Sequence, residues 1–296
     1  MPSRPSHIRA PRYVGALFAA TSLLLTASAD AQVSIYLSAP GATSSGFSNT
    51  DVETFESLTT GIKTSDFLSP NFGTATGVTG TYQGSVAHPY AIGPASDPWS
   101  VGSNYFAVGA QSGSTATATL QLSSSVGYFG FSWNAGDNNN RMAFYKQGAV
   151  LAIFSSANIQ TLLANPTVTA IDGTVYNSSS YRGQPGNTTV NAGENYAFVH
   201  FLIAGGADRI DFWNTGGSGF ESDNHTLRTT APTVAGSSLV FVTTTSAPEP
   251  STLGLLALGA VIASVLALYR KDALASQRVS QTSFAVIHSK NSVDGS

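Results

Sequence analysis

Cysteine is absent from the chain. Its absence removes disulfides, thiolate metal centres and cysteine nucleophiles in one step, so stability has to come from a packed core. Charge is scarce as well: Asp, Glu, Lys and Arg make up 10% of the 296 residues, against roughly 25% in an ordinary globular domain. Between Gln32 and Ala247 six basic side chains stand against twelve acidic ones, a formal −6. That balance leaves no cationic footprint for nucleic acid, which is excluded as a partner. No nucleophile elbow of the G-x-S-x-G kind, phosphate loop, dinucleotide fingerprint or H-E-x-x-H motif occurs. No self-similarity with a period of about 20 to 50 residues is visible either, which sets repeat architectures aside.

What the middle of the chain does contain is Ser, Thr, Asn and Gly, a composition that favours β-strands and turns over helices. Short stretches of alternating polarity recur between turn clusters. Thr115 to Leu122 alternates strictly, Val126 to Trp133 is aromatic enough for an interior strand, and Arg141–Lys146 and Val150–Phe154 flank Gln147-Gly148 as a tight hairpin. Further strands are expected at 33–37, 52–55, 105–109, 196–203, 209–214, 225–229 and 239–243, with one short helix over Ala157 to Ala164. The expected fold is all-β, an antiparallel two-sheet sandwich of jelly-roll or lectin-like type occupying residues 32–230. Gly61 to Ser100 and Asn165 to Asn195, rich in Gly, Pro, Ser and Asn, read as long surface loops. Residues 231–247 read as a linker.

The two ends carry addresses. Arg4, Arg9 and Arg12 precede the apolar stretch Val14 to Leu25 and the small-residue sites ending at Ala29 and Ala31. This is the pattern of a secretory signal peptide over residues 1–31, with export through the Sec machinery. At the other end Pro248-Glu249-Pro250 is followed by an apolar run and then by Arg270 and Lys271. From Leu253 to Leu268 the only polar side chain is Ser264, and with its flanking residues the run suffices for a transmembrane helix over 252–269. Its basic residues anchor the cytoplasmic side and contact the lipid headgroups. Asp272 to Ser296 continues as a polar cytoplasmic tail.

Proline–glutamate–proline, apolar helix, basic cluster: in this order the three parts resemble the PEP-CTERM sorting signal, here residues 248–271. The resemblance implies recognition by exosortase, a membrane-embedded cysteine transpeptidase, after transient anchoring in the inner membrane. It also implies a destination at the cell envelope, the outer surface or the extracellular matrix, in a setting of exopolysaccharide and biofilm. A second stretch, roughly Ser125 to Leu227, resembles a recurrent ectodomain of such surface proteins. It is carried by Gly127-Tyr128-Phe129-Gly130-Phe131-Ser132-Trp133, Phe144-Tyr145, Asn195 to Phe201, Asp208-Arg209-Ile210 and Gly219 to Thr226.

The reading of the chemistry is a non-enzymatic protein, with a carbohydrate-binding module as the alternative and glycoside hydrolysis behind it. No cofactor is required. Calcium is the one candidate, because carboxylates and amides adjoin at Asp137 with Asn139 and at Glu221, Asp223 and Asn224. In an extended strand Glu221, Asp223 and His225 would share a side, with pairing to Arg209 or Arg228 as the structural alternative. Trp99, in Ser96-Asp97-Pro98-Trp99, is the candidate aromatic platform for a glycan.

Overall fold

The computed structural model describes residues 32–113, 117–236, 239–242 and 270. The expected signal peptide, the sorting tripeptide Pro248-Glu249-Pro250, Lys271, the expected membrane helix and the expected polar tail lie outside the described residues. Arg270 is described as helical and exposed. Among the described residues no helix is long and apolar enough to cross a membrane.

Strands dominate. In chain order they are β1 (Gln32–Leu37), β2 (Asp51–Glu53), β3 (Gly61–Lys63), β4 (Phe67–Leu68), β5 (Gly80–Gln83), β6 (Tyr90–Gly93), β7 (Tyr105–Gly109), β8 (Ala118–Gly136), β9 (Asn140–Lys146) and β10 (Ala149–Ser155). After the helix α1 (Ser156–Leu163) come β11 (Thr167–Thr169), β12 (Val175–Asn177), β13 (Asn195–Asn214), β14 (Gly219–Arg228) and β15 (Leu239–Val242). Every pairing is antiparallel, as hairpin-scale connections favour.

β8 and β13 organise the rest. Each was expected as two strands, yet each runs unbroken for 19 and 20 residues respectively, because register shifts absorb the polar breaks. The first part of β8 pairs with β5 and with the last part of β13, which also pairs with β9; β9 in turn pairs with β10. The last part of β8 pairs with β14 and with the first part of β13, which also carries β1. β14 extends this second ladder through β7 and β6 to β3. Leu239–Val242, inside the expected linker, joins it too: β15 pairs with β1, and Gln32 lies opposite Val242.

One aromatic core serves both ladders. Phe201 lies 4.8 Å from Phe144, 5.1 Å from Phe154 and stacked at 5.9 Å on Phe131, while Phe212 reaches Phe106 at 5.3 Å and Phe220 at 6.1 Å. Trp133 is fully buried among them. Offset and edge-on ring contacts add directionality to area burial.

The stretch expected as a loop at 61–100 contains β3 to β6 and is latched to the sheet by two acids. Asp51 accepts from the backbone N–H groups of Gly73, Ala75 and Thr76 and from the Thr76 hydroxyl. Glu53 takes Asn71 Nδ2 at 3.1 Å and the Ser69 hydroxyl, and its grip on the Phe55 N–H at 2.7 Å fixes a left-handed turn that drives Phe55 into the core. The 165–195 stretch likewise contains β11 and β12.

The β9–β10 hairpin turns on Gln147 and Gly148, both at positive φ, with Lys146 opposite Ala149. A type I′ turn of this kind suits Asn better than Gln at its first position. Gln147→Asn, which keeps the N–H that Asp208 accepts, should add about 0.5 kcal/mol and raise the melting temperature by about 1–2 °C. A scan of the two proteins side by side checks it.

Candidate functional site

β14 carries a row of buried polar residues from Glu221 to Thr226 in which only Asn224 is partly exposed. The three side chains expected to converge do not. Asn224 adopts φ 52° at a register shift between Asp223 and Thr226, a bulge that leaves Glu221 and Asp223 on one side and rotates His225 into the core. Their partners are separate. Gln111 Nε2 donates to Glu221, whereas Asp223 takes the Ser103 hydroxyl and, at 2.6 Å, the Asn224 N–H. Arg209, the proposed counter-ion, bonds Asp211 instead. Burial pushes the Glu221 carboxyl up to about 8 against the pull of its own N–H and Gln111, with Asp137 and Glu194 adding repulsion. Burial also lifts Asp223 to about 7, although the hydrogen bonds from Ser103 and Asn224 oppose it.

Two histidines sit in matching polar links. His225 meets the Tyr82 hydroxyl at Nδ1, 2.8 Å away, and the Ser222 hydroxyl at Nε2, 2.9 Å away. His200 repeats the arrangement with Tyr128 at 2.8 Å and Ser38 at 2.6 Å. A serine beside a histidine suggests a nucleophile and its base. Both rings are fully buried, though, and burial lowers each to about 3, so they are neutral links between hydroxyls. Gly130 makes the second link possible, since a Cβ there would fall 2.3 Å from the Tyr128 hydroxyl.

The calcium candidates are engaged elsewhere. Asp137 accepts the Asn139 N–H at 2.7 Å in a self-bonded turn and also takes the Ser218 hydroxyl. Asn224 donates to the Thr43 carbonyl at 2.9 Å. Among the described residues no group of three or more histidines and acids is placed to hold a metal ion. Trp99 is 37% exposed, as a platform requires, in a segment held where Pro98 O accepts Asn191 Nδ2 at 2.6 Å.

An open cleft, which sequence reasoning missed, lies over β5, the start of β8 and the end of β13. Its volume is about 480 Å³, and its walls include Asp66, Gln83, His88, Thr119, Arg209 and Asp211. That volume falls among ordinary small-ligand sites, about 300–1,000 Å³. Arg209 is fixed by stacking 3.6 Å over the Tyr145 ring and by Asp211 at 3.2 Å, while Asp211 also accepts the Thr119 hydroxyl at 2.8 Å. The polar alternation Arg209-x-Asp211 was visible in the sequence; the residues it would meet across the cleft were not.

The folded unit therefore offers a polar cleft and sealed histidines, and the decisive signal lies at the tail. Residues 246–271 match the family described as PEP-CTERM protein-sorting motif. The chain carries a PEP-CTERM protein-sorting motif. The PEP-CTERM motif directs exosortase-dependent sorting to the cell surface, which accounts for the order of Pro248-Glu249-Pro250 before an apolar run and Arg270-Lys271. No curated protein and no solved structure matches this PEP-CTERM chain.

Proposed function

We propose that this is a non-enzymatic component of an exopolysaccharide matrix, exported through Sec, held in the inner membrane by the helix 252–269 and released or transferred by exosortase at Pro248-Glu249-Pro250. The match at residues 246–271 carries the reading. The folded part is a two-sheet sandwich of jelly-roll type, supported by the two ladders that share β8, β13 and one core. Its lack of enzymatic chemistry is supported by the closure of both Ser–His pairs and of Glu221 and Asp223. Carbohydrate binding is the second reading, favoured by the polar cleft beside Arg209.

The test is mass spectrometry of both ends of the surface pool, beside a variant with Pro248, Glu249 and Pro250 all changed to Ala. The native chain should begin at Asp30 or Gln32 and lack the helix. The variant should stay in the inner-membrane fraction with its tail uncut. Surface protein that retains residues 252–296, or a variant processed like the native chain, would overturn the proposal.

A further inference from the structure

We infer that the cleft over β5, β8 and β13 binds an uncharged or amine-bearing oligosaccharide and rejects acidic sugars. The inference rests on reading the protein as a matrix component and names the class of glycan that it meets. Three features of the cleft carry it.

Its polar groups are held in place before any ligand arrives. Arg209 lies between Tyr145 and Asp211, and Asp211 is held in turn by Thr119, so neither charged group has to be ordered on binding. Hydrogen-bonding capacity is left over on both sides. The side chains of Gln83 and His88 are exposed there without a hydrogen-bond partner among the described residues. Asp66 spends one oxygen on the Gly84 N–H at 3.0 Å and keeps the other for a ligand. Donors and acceptors in this mixture fit sugar hydroxyls, which both donate and accept.

The charge decides between sugar classes. Two carboxylates, Asp66 and Asp211, stand against one guanidinium, and Asp211 already occupies that guanidinium. The unneutralised charge is thus the carboxylate of Asp66. It repels a uronate and attracts an amine, and a partly open wall leaves the contact moderate in strength.

The experiment is titration calorimetry on the full chain in detergent with three probes: cellotetraose, a chitosan tetramer and tetragalacturonate. Cellotetraose or the chitosan tetramer should bind saturably, with tetragalacturonate about tenfold weaker or worse. Gln83→Ala and His88→Ala change exposed side chains outside the core, and each should weaken binding by about fivefold, the loss of one hydrogen bond, with the melting temperature unmoved. The inference is overturned if no probe binds, if tetragalacturonate binds as well as the others, or if both variants bind like the native chain. A chain correctly sorted to the surface yet blind to all three probes would sink this inference alone. Failure of the tail to be processed would sink the sorting proposal and leave the titration readable.

Discussion

Stability should be nearly independent of pH between about 4.5 and 6.5, fall about a hundredfold in folding equilibrium from 6.5 to 8, and fall again below 4. Four buried groups set this shape. Glu221 rises on folding from 4.5 to about 8 and Asp223 from 3.8 to about 7, so their contributions are complete below the lower values and vanish as pH climbs through the higher ones. His200 and His225 fall from 6.5 to about 3, so their contributions are complete above 6.5 and vanish as pH drops toward 3. Each group changes the equilibrium about tenfold per pH unit while it titrates in one state only. Between 4.5 and 6.5 two declines cancel two gains. Above 6.5 the acids act alone. The double change Glu221→Gln with Asp223→Asn should abolish the alkaline decline, leaving stability level from about pH 7 to 8 and, with the two histidines no longer offset, falling as pH drops below 6.5. Denaturant titrations at several pH values read this directly; a native chain that grows more stable from pH 6.5 to 8 would show both carboxyls ionised in place.

Asp51→Ala should cost about 3 kcal/mol, because it orphans three backbone N–H groups and a hydroxyl that a charged acceptor holds. For a domain of this size that is a drop of about 6–12 °C in melting temperature. Burial opposes ionisation of Asp51, yet the bonds from Thr76, Ala75 and Gly73 outweigh it and lower its pKa. The latch is therefore present above 3.8 and lost as pH falls below it. Asp51→Asn, which keeps a carbonyl acceptor, should recover part of the loss. Melting within about 1 °C of the native chain in Asp51→Ala would mean that the 73–76 segment is held by other contacts.

Local pattern made most of the strands legible. Gln147-Gly148 declared its hairpin, and the helix expected at 157–164 lies at Ser156–Leu163. The polar breaks at Ser123-Ser124-Ser125 and Ala204-Gly205-Gly206 looked like ends of strands, since alternation fails there. Pairing to neighbours on both sides carries the backbone through them as bulges, and that pairing is not encoded locally. Glu221, Asp223 and His225 were misplaced for a related reason: one left-handed residue, Asn224, reverses the face on which everything after it lies. The cleft was invisible because Gln83, Thr119 and Arg209 come from distant segments that only the register of β5, β8 and β13 brings side by side. The sorting motif needed no folding to be recognised, being a contiguous address.

Because Gln32 faces Val242 across the β1–β15 ladder, these two residues lie at neighbouring points on one margin of the sheet. Tension applied between those two points would peel the ladder rung by rung, the weak direction of a β-structure, whereas a load entering at the Gln147-Gly148 turn would not act on that seam first. Fluorescent or affinity tags are for the same reason better inserted at that turn, where they stay clear of the strand through which the chain runs on to its sorting motif.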